Sequence, residues 1–216
     1  MNAREEILGR VRGALADVAE PDPALDVPVA WQYGTPTPMP DVLSRFVEMT
    51  EDYRATVLRC ADADVPAGIA GMLTAAGVRS VVLPSGLDPA WRAAVVAAGI
   101  PVHDDEPPLS RVELDEIGGV VTAAAVAVAE TGTIILDHAA DQGRRALTLV
   151  PDTHLVVVRA DQVVSDVPEA VARLAAAVGR GAPQTWISGP SATSDIELSR
   201  VEGVHGPRNL LVILAG

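Results

Sequence analysis

Glu130 stands where a run of small apolar residues, Val126-Ala127-Val128-Ala129, meets Thr131-Gly132-Thr133 before the chain resumes as Ile134-Ile135-Leu136. A carboxylate at a strand end among apolar neighbours is a candidate for a raised pKa and for work as acid, base or nucleophile. Gly132 beside it would let a ligand approach the backbone, with Thr131 and Thr133 as hydroxyl partners. The same spacing fits a hairpin in which Glu130 only accepts hydrogen bonds from turn amides, and both readings stay open. A second segment, Ile187-Ser188-Gly189-Pro190-Ser191-Ala192-Thr193-Ser194-Asp195-Ile196-Glu197, leaves a strand, turns through Gly-Pro and enters a helix rich in hydroxyls. Amides exposed at such a helix start, with Ser188, Gly189, Ser191 and Thr193 nearby, make a cradle for a carboxylate or phosphate. Ser194 and Glu197 also fit a plain capping box. In Gly203-Val204-His205-Gly206-Pro207-Arg208, His205 is placed to transfer a proton and Arg208 to hold a carboxylate in a fork, although a lone turn histidine is often structural. Arg144 or Arg145, in the loop after Asp137-His138, is a further candidate to face an anion, the alternative being a solvated charge pair.

Residue types exclude several chemistries. All 16 basic residues are arginine, so no Schiff-base or P-loop lysine exists. One cysteine, Cys60, cannot hold an iron–sulfur cluster or form an internal disulfide. His103, His138, His154 and His205 lack the paired spacing of a zinc helix or finger, and no metal site is expected. Gly-x-Gly-x-x-Gly after a strand and Gly-x-Ser-x-Gly are both missing, which removes the support for a dinucleotide-binding dehydrogenase or a serine hydrolase. With 29 acidic residues against 16 basic ones the net charge is −13, so the average field repels nucleic acid and anionic membranes. Aromatic content of 3% offers little for base stacking. Met1 to Glu6 carries no apolar signal core, and the apolar stretch near Ala123 to Ala129 is too short to span a bilayer; a cytoplasmic protein without membrane insertion is expected.

The elements that would position these residues follow from periodicity. Ile7, Leu8, Val11, Leu15 and Val18 form one stripe of an amphipathic helix over Ala3 to Val18, and six prolines between Glu20 and Pro40 predict an extended arm. The expected division is therefore a helix and arm over 1–40 and one α/β domain over 41–216. Within that domain Asp41 predicts a helix to about Arg59 and Pro66 one that stops at Gly77. Ser80 to Leu83, a helix over Ala90 to Ala98 capped by Asp88, and Ile100 to His103 then alternate as in a parallel sheet flanked by helices. Strands over Gly118 to Thr122, Val126 to Glu130, Thr133 to Asp137, Leu147 to Val150 and His154 to Arg159 are spaced too closely for helical crossovers, which predicts a mixed β segment. A helix over Pro168 to Val178, strands at Thr185 to Ser188 and Leu210 to Leu214, and a short helix after Ser194 complete the expectation.

Taken together, Ala129-Glu130-Thr131-Gly132-Thr133, Pro151-Asp152-Thr153-His154, the Ile187 to Glu197 segment and Gly203-Val204-His205-Gly206-Pro207 resemble the LUD-domain family, in particular its small lactate-utilisation protein C members. The resemblance runs from about Asp41 to the C-terminus. It implies a fold similar to sugar-phosphate isomerases and CoA transferases, with ligands over strand ends between glycine-containing loops. It also implies a part in oxidising L-lactate to pyruvate beside partner subunits that carry iron–sulfur clusters; from its own residues this chain is expected to hold no cofactor and to take a small anionic ligand at its two candidate loops. It supplies no catalytic residue, so an accessory subunit, an independent enzyme acting through Glu130 and a non-catalytic ligand sensor all remain, and a homo-oligomer is left open.

Overall fold

The computed structural model describes residues 2–18, 22, 34–190 and 206–216. The chain divides into two compact units, Met1–Thr35 and Pro36–Gly216. The first contains helix α1, Ala3–Ala14, opened by a capping box in which the Asn2 side chain accepts from the Glu5 amide and Glu5 reaches back to the Asn2 amide. The helix ends four residues short of the predicted Val18, and Ile7, Val11 and Leu15 of its apolar stripe are exposed.

In the second unit the elements run α2 (Val42–Asp52), β1 (Thr56–Cys60), α3 (Val65–Ala75), β2 (Val81–Leu83), α4 (Pro89–Ala97), β3 (Val102–Asp104), α5 (Arg111–Glu116), β4 (Gly119–Ala123), β5 (Val126–Val128), β6 (Thr133–Leu136), β7 (Thr153–Arg159), β8 (Val163–Val164), α6 (Val167–Gly179), β9 (Thr185–Ile187) and β10 (Asn209–Ala215). Six strands form an all-parallel sheet in the order β1-β10-β7-β4-β2-β3. The other four form a mixed sheet, β8-β5-β6-β9, in which β8 and β5 are parallel and the remaining pairs antiparallel. The expected α/β architecture, a mostly parallel sheet flanked by helices with a mixed β segment, is what the chain builds.

Strand period explains how the two sheets stack. On β10, Leu211, Ile213 and Ala215 join α3 and α4 residues Ile69, Leu73, Trp91 and Val95 in one core, while Leu210, Val212 and Leu214 point to the opposite face. That face meets Ala127, Ile134 and Leu136 of the small sheet together with Phe46 of α2. The far side of the small sheet, Val126, Val128 and Ile135, is closed by Ala170 and Leu174 of α6. A one-residue slip of β10 would exchange its two sets of side chains between the two cores, so packing on both faces fixes its register.

Three local expectations are corrected. The helix begun at Asp41 stops at Asp52, because Arg54 takes a left-handed backbone (φ 66°) and the chain reverses. Thr56–Cys60 then becomes a strand by pairing with β10, a partner far away in sequence that periodicity cannot reveal. Leu147 to Val150 is not a strand: Arg145–Thr148 forms a 3-10 turn that drops Leu147 into a pocket with Val82, Leu114, Ile117 and Val120. Helix α5 was not anticipated, although Ser110 and Glu113 carry its capping box at the standard spacing. The short helix expected after Ser194 lies outside the described residues.

Candidate functional site

The antiparallel pairing of β6 with β9 sets Ile134 opposite Ile187. One step further along, Thr133 and Ser188 therefore face each other across the sheet end. Their hydroxyls are 2.8 Å apart, and the Thr131 hydroxyl lies 2.7 Å from that of Thr133. Three hydroxyls from two separate segments thus form one hydrogen-bonded chain, with Thr133 buried in the middle.

The glycines of these two segments do something else. Gly132 (φ 60°) lies so close to the end of α2 that a Cβ would sit 2.7 Å from the Met49 carbonyl carbon and 2.8 Å from the Thr50 nitrogen. A Cβ on Gly189 (φ 75°) would meet Tyr53 Cβ at 2.8 Å. Both glycines admit the helix end, which places α2 against both loops; Gly189 also lines the cavity beside Ser188, and Gly132 does not. Glu130 is exposed, its amide donating to the Ser165 carbonyl at 3.1 Å, and it does not line the cavity beside Ser188.

That cavity, of about 240 Å³, opens at the amino ends of β7 and β10. Its walls include Arg145, Thr148, His154, Thr185, Ser188 and Leu210. The 3-10 turn delivers Arg145, whose guanidinium donates to the Thr148 hydroxyl at 3.2 Å. Among the described residues no carboxylate pairs with Arg145, and burial lowers its pKa from the usual arginine value. A partly desolvated guanidinium without a protein counter-ion is a receptor for an anion.

His154 is fully buried, and its Nε2 lies 2.8 Å from the Thr122 hydroxyl. Burial, reinforced by the positive charge of Arg145, pushes its pKa down to about 3, so the imidazole is neutral at neutral pH and Nδ1 has no partner among the described residues. The arrangement can therefore bind a small anion at Arg145 while Ser188, Thr148 and neutral His154 exchange hydrogen bonds with its other polar groups. A cavity this size lies below the range of about 300–1,000 Å³ typical of drug-sized ligands, which favours a ligand of a few heavy atoms.

The remaining sequence candidates separate clearly. Arg144 is taken by Asp105 in a fork of 2.6 and 2.8 Å and also donates to the Leu109 carbonyl. Burial pulls the Asp105 pKa up, but the Arg144 and Leu109 hydrogen bonds outweigh it and hold the carboxyl below its ordinary value. Of the two neighbouring arginines, Arg145 is thus the one open to a ligand. Arg208, expected to hold a ligand carboxylate, is forked onto Asp152 instead, so its charge is answered within the protein. His138 lies 2.8 Å from both the Gly143 carbonyl and the Thr185 hydroxyl, which ties the loop after β6 to the cavity wall. Ser191, Thr193 and His205 lie outside the described residues.

His154, Thr148 and Thr185 had no sequence signal as a group, because they come from a strand start, a turn and another sheet. Only the Pro151 to His154 motif hinted at the histidine. Cys60 suits no cluster: it is a lone thiol whose pKa is pushed up by burial and by Asp64 and Asp62, which disfavours the thiolate a metal needs. Among the described residues no group of three metal-ligating side chains forms, and no helix is long and apolar enough to cross a membrane.

Fold and cavity together define an α/β protein with a six-stranded parallel sheet and an arginine-lined cavity at its amino edge. A family profile, the LUD domain, matches residues 108–215, and the chain belongs to the LUD-domain family. It is 50% identical over 186 residues to lactate utilization protein C of Deinococcus radiodurans, covering 85% of each chain. It is also similar to lactate utilization protein C of Bacillus subtilis, 35% identical over 98 residues, but there the match spans 44% of this chain and 40% of that one. Uncharacterized protein YkgG of Escherichia coli is 37% identical over 103 residues, 46% of this chain and 43% of its own. The crystal structure of a DUF162 family protein from Deinococcus radiodurans superposes with a TM-score of 0.72 at 45% identity, covering 84% of this chain and all of that one.

Proposed function

We propose that this chain serves lactate utilisation in the cytoplasm as an accessory, substrate-handling subunit, holding a small organic anion of the size of lactate or pyruvate in the Arg145 cavity. The observation that carries the reading is the guanidinium of Arg145 sharing a cavity with Ser188 and neutral His154, with no carboxylate among the described residues to answer it. The names of the relatives support the pathway, and the lone Cys60 supports placing iron–sulfur clusters on partner subunits. In this reading Arg145 takes the carboxylate, and Ser188 with His154 recognises the 2-hydroxyl or 2-oxo group.

Calorimetric titration of the full chain with L-lactate and pyruvate tests the site. Arg145→Ala is expected to weaken binding about 5- to 30-fold, a charge-assisted contact discounted for partial exposure, with the melting temperature retained. Equal affinity in the wild-type and variant chains sinks the assignment. Co-purification with iron–sulfur proteins tests the accessory role, and unchanged lactate-dependent electron transfer after omission of this chain overturns it.

A further inference from the structure

A different cavity, of about 440 Å³, lies at the opposite edge of the large sheet, over the carboxyl ends of β2, β4 and β7. The sheet order makes this a topological switch point. From β2 the chain passes outward to β3 and then returns to β4, β7 and β10 on the other side, so the loops leaving β2 and β4 diverge and open a crevice. Two loops shape it. Gly86, just after β2, packs so tightly on the Ala139–Gly143 loop that a Cβ would sit 2.5 Å from the Ala140 carbonyl carbon, and its amide donates to that carbonyl's oxygen at 3.0 Å. The Ala139–Gly143 loop is in turn held by the buried Gln142 side chain, which accepts from the amides of Asp137 at 2.7 Å and His138 at 3.1 Å.

This scaffold presents Asp141 to the crevice, where Trp91, Val157, Arg159 and Gln162 are also walls. The Oδ1 atom of Asp141 is buried with no hydrogen-bond partner among the described residues, a costly state for a polar atom that an incoming donor or acceptor would relieve. Arg159, at the end of β7, has no ion-pair partner among the described residues and influences Asp141 electrostatically without making an ion pair with it. Gln162 is already spent, donating to the Ala124 carbonyl and accepting from the Arg159 amide. Among the described residues two groups of this crevice therefore remain for an incoming molecule, a guanidinium and a carboxyl, with apolar walls at Trp91 and Val157.

We propose that this crevice is a second binding site, taking a small organic carboxylate with an apolar body, its acid group on Arg159 and one oxygen hydrogen-bonded by Asp141. For that bond Asp141 must carry its proton. Burial, the largest influence, raises its pKa, and the charge of Asp137 adds to the rise against its own amide, Gln142 and Arg159. Asp88, also on the crevice wall, is occupied in capping α4 through the Ala90 amide. The site is separate from the Arg145 cavity and shares no wall with it.

Titration of the full-length Arg145→Ala chain with 4-methyl-2-oxopentanoate tests the proposal apart from the first cavity. One saturable site per chain is expected, weakened about tenfold or more when Arg159→Ala is added and partly restored by Arg159→Lys. Binding by the chain with Asp141 intact should weaken as pH rises through the Asp141 pKa, because the newly formed carboxylate repels the ligand. Asp141→Asn, which still donates, should bind with a flat pH profile. Absence of saturable binding in the Arg145→Ala chain, or an affinity indifferent to Arg159→Ala, overturns the proposal.

Discussion

Gly132→Ala offers a sharp test of what the Glu130 turn is for. The substituted Cβ would stand 2.7 and 2.8 Å from the carbon and oxygen of the Met49 carbonyl and 2.8 Å from the Thr50 nitrogen. All three atoms are backbone of α2, so no side chain can swing aside, and the helix itself must retreat from the turn. Left-handed backbone (φ 60°) adds about 1 kcal/mol for any residue with a Cβ. Forced displacement of packed structure adds about 1–3 kcal/mol. The sum, about 2–4 kcal/mol, is a large part of a typical domain stability of about 5–15 kcal/mol. Urea unfolding followed by circular dichroism should show the midpoint fall by about 1–2 M at an unchanged slope of about 2 kcal/mol per M. Affinity for L-lactate in the folded protein should change little, because the added methyl meets α2 and not the Arg145 cavity. A loss below about 1 kcal/mol would refute the close-packing account, and a selective loss of affinity would restore Gly132 to the ligand.

Other consequences follow from the same geometry. His154 is depressed to about 3 in the folded protein against about 6.5 when unfolded, so its stabilisation is complete above the unfolded value and is lost as pH falls from there toward the folded one. Stability should drop by about 2 kcal/mol between neutral pH and pH 5 from this group, and His154→Gln should flatten that part of the profile measured by denaturant titration. Glu130→Gln, at an exposed site, should shift stability by less than about 0.5 kcal/mol; loss of lactate-dependent activity with stability intact would give Glu130 a chemical role and defeat the accessory reading. Breaking the Asp105–Arg144 fork by Arg144→Ala should cost about 1 kcal/mol or less at this partly exposed pair, and should leave binding at the Arg145 cavity unchanged in calorimetry.

Much of the molecule is legible in its sequence. Asp88-Pro89 and Pro168 open helices where local chemistry requires, and the continuous apolar runs of β2, β4, β7 and β10 mark strands buried on both faces. The absence of lysine and the single cysteine limited the chemistry outright, because those statements need no geometry. The hydroxyls of Thr131, Thr133 and Ser188 were also recognisable as polar residues at strand ends.

Tertiary structure decided how these pieces meet. Thr56–Cys60 is a strand only because β10 lies beside it, and neither the Arg145 turn nor its cavity has a signature, since the walls come from elements distant in sequence. Neighbours in the chain received opposite fates: Arg144 was neutralised by Asp105 and Arg145 left facing the cavity. Gly132 and Gly189 seat a helix end, because positive φ permits any close approach and only packing selects which. Local physics fixed residue types and periods; which charge is answered, and by what, depended on long-range contacts.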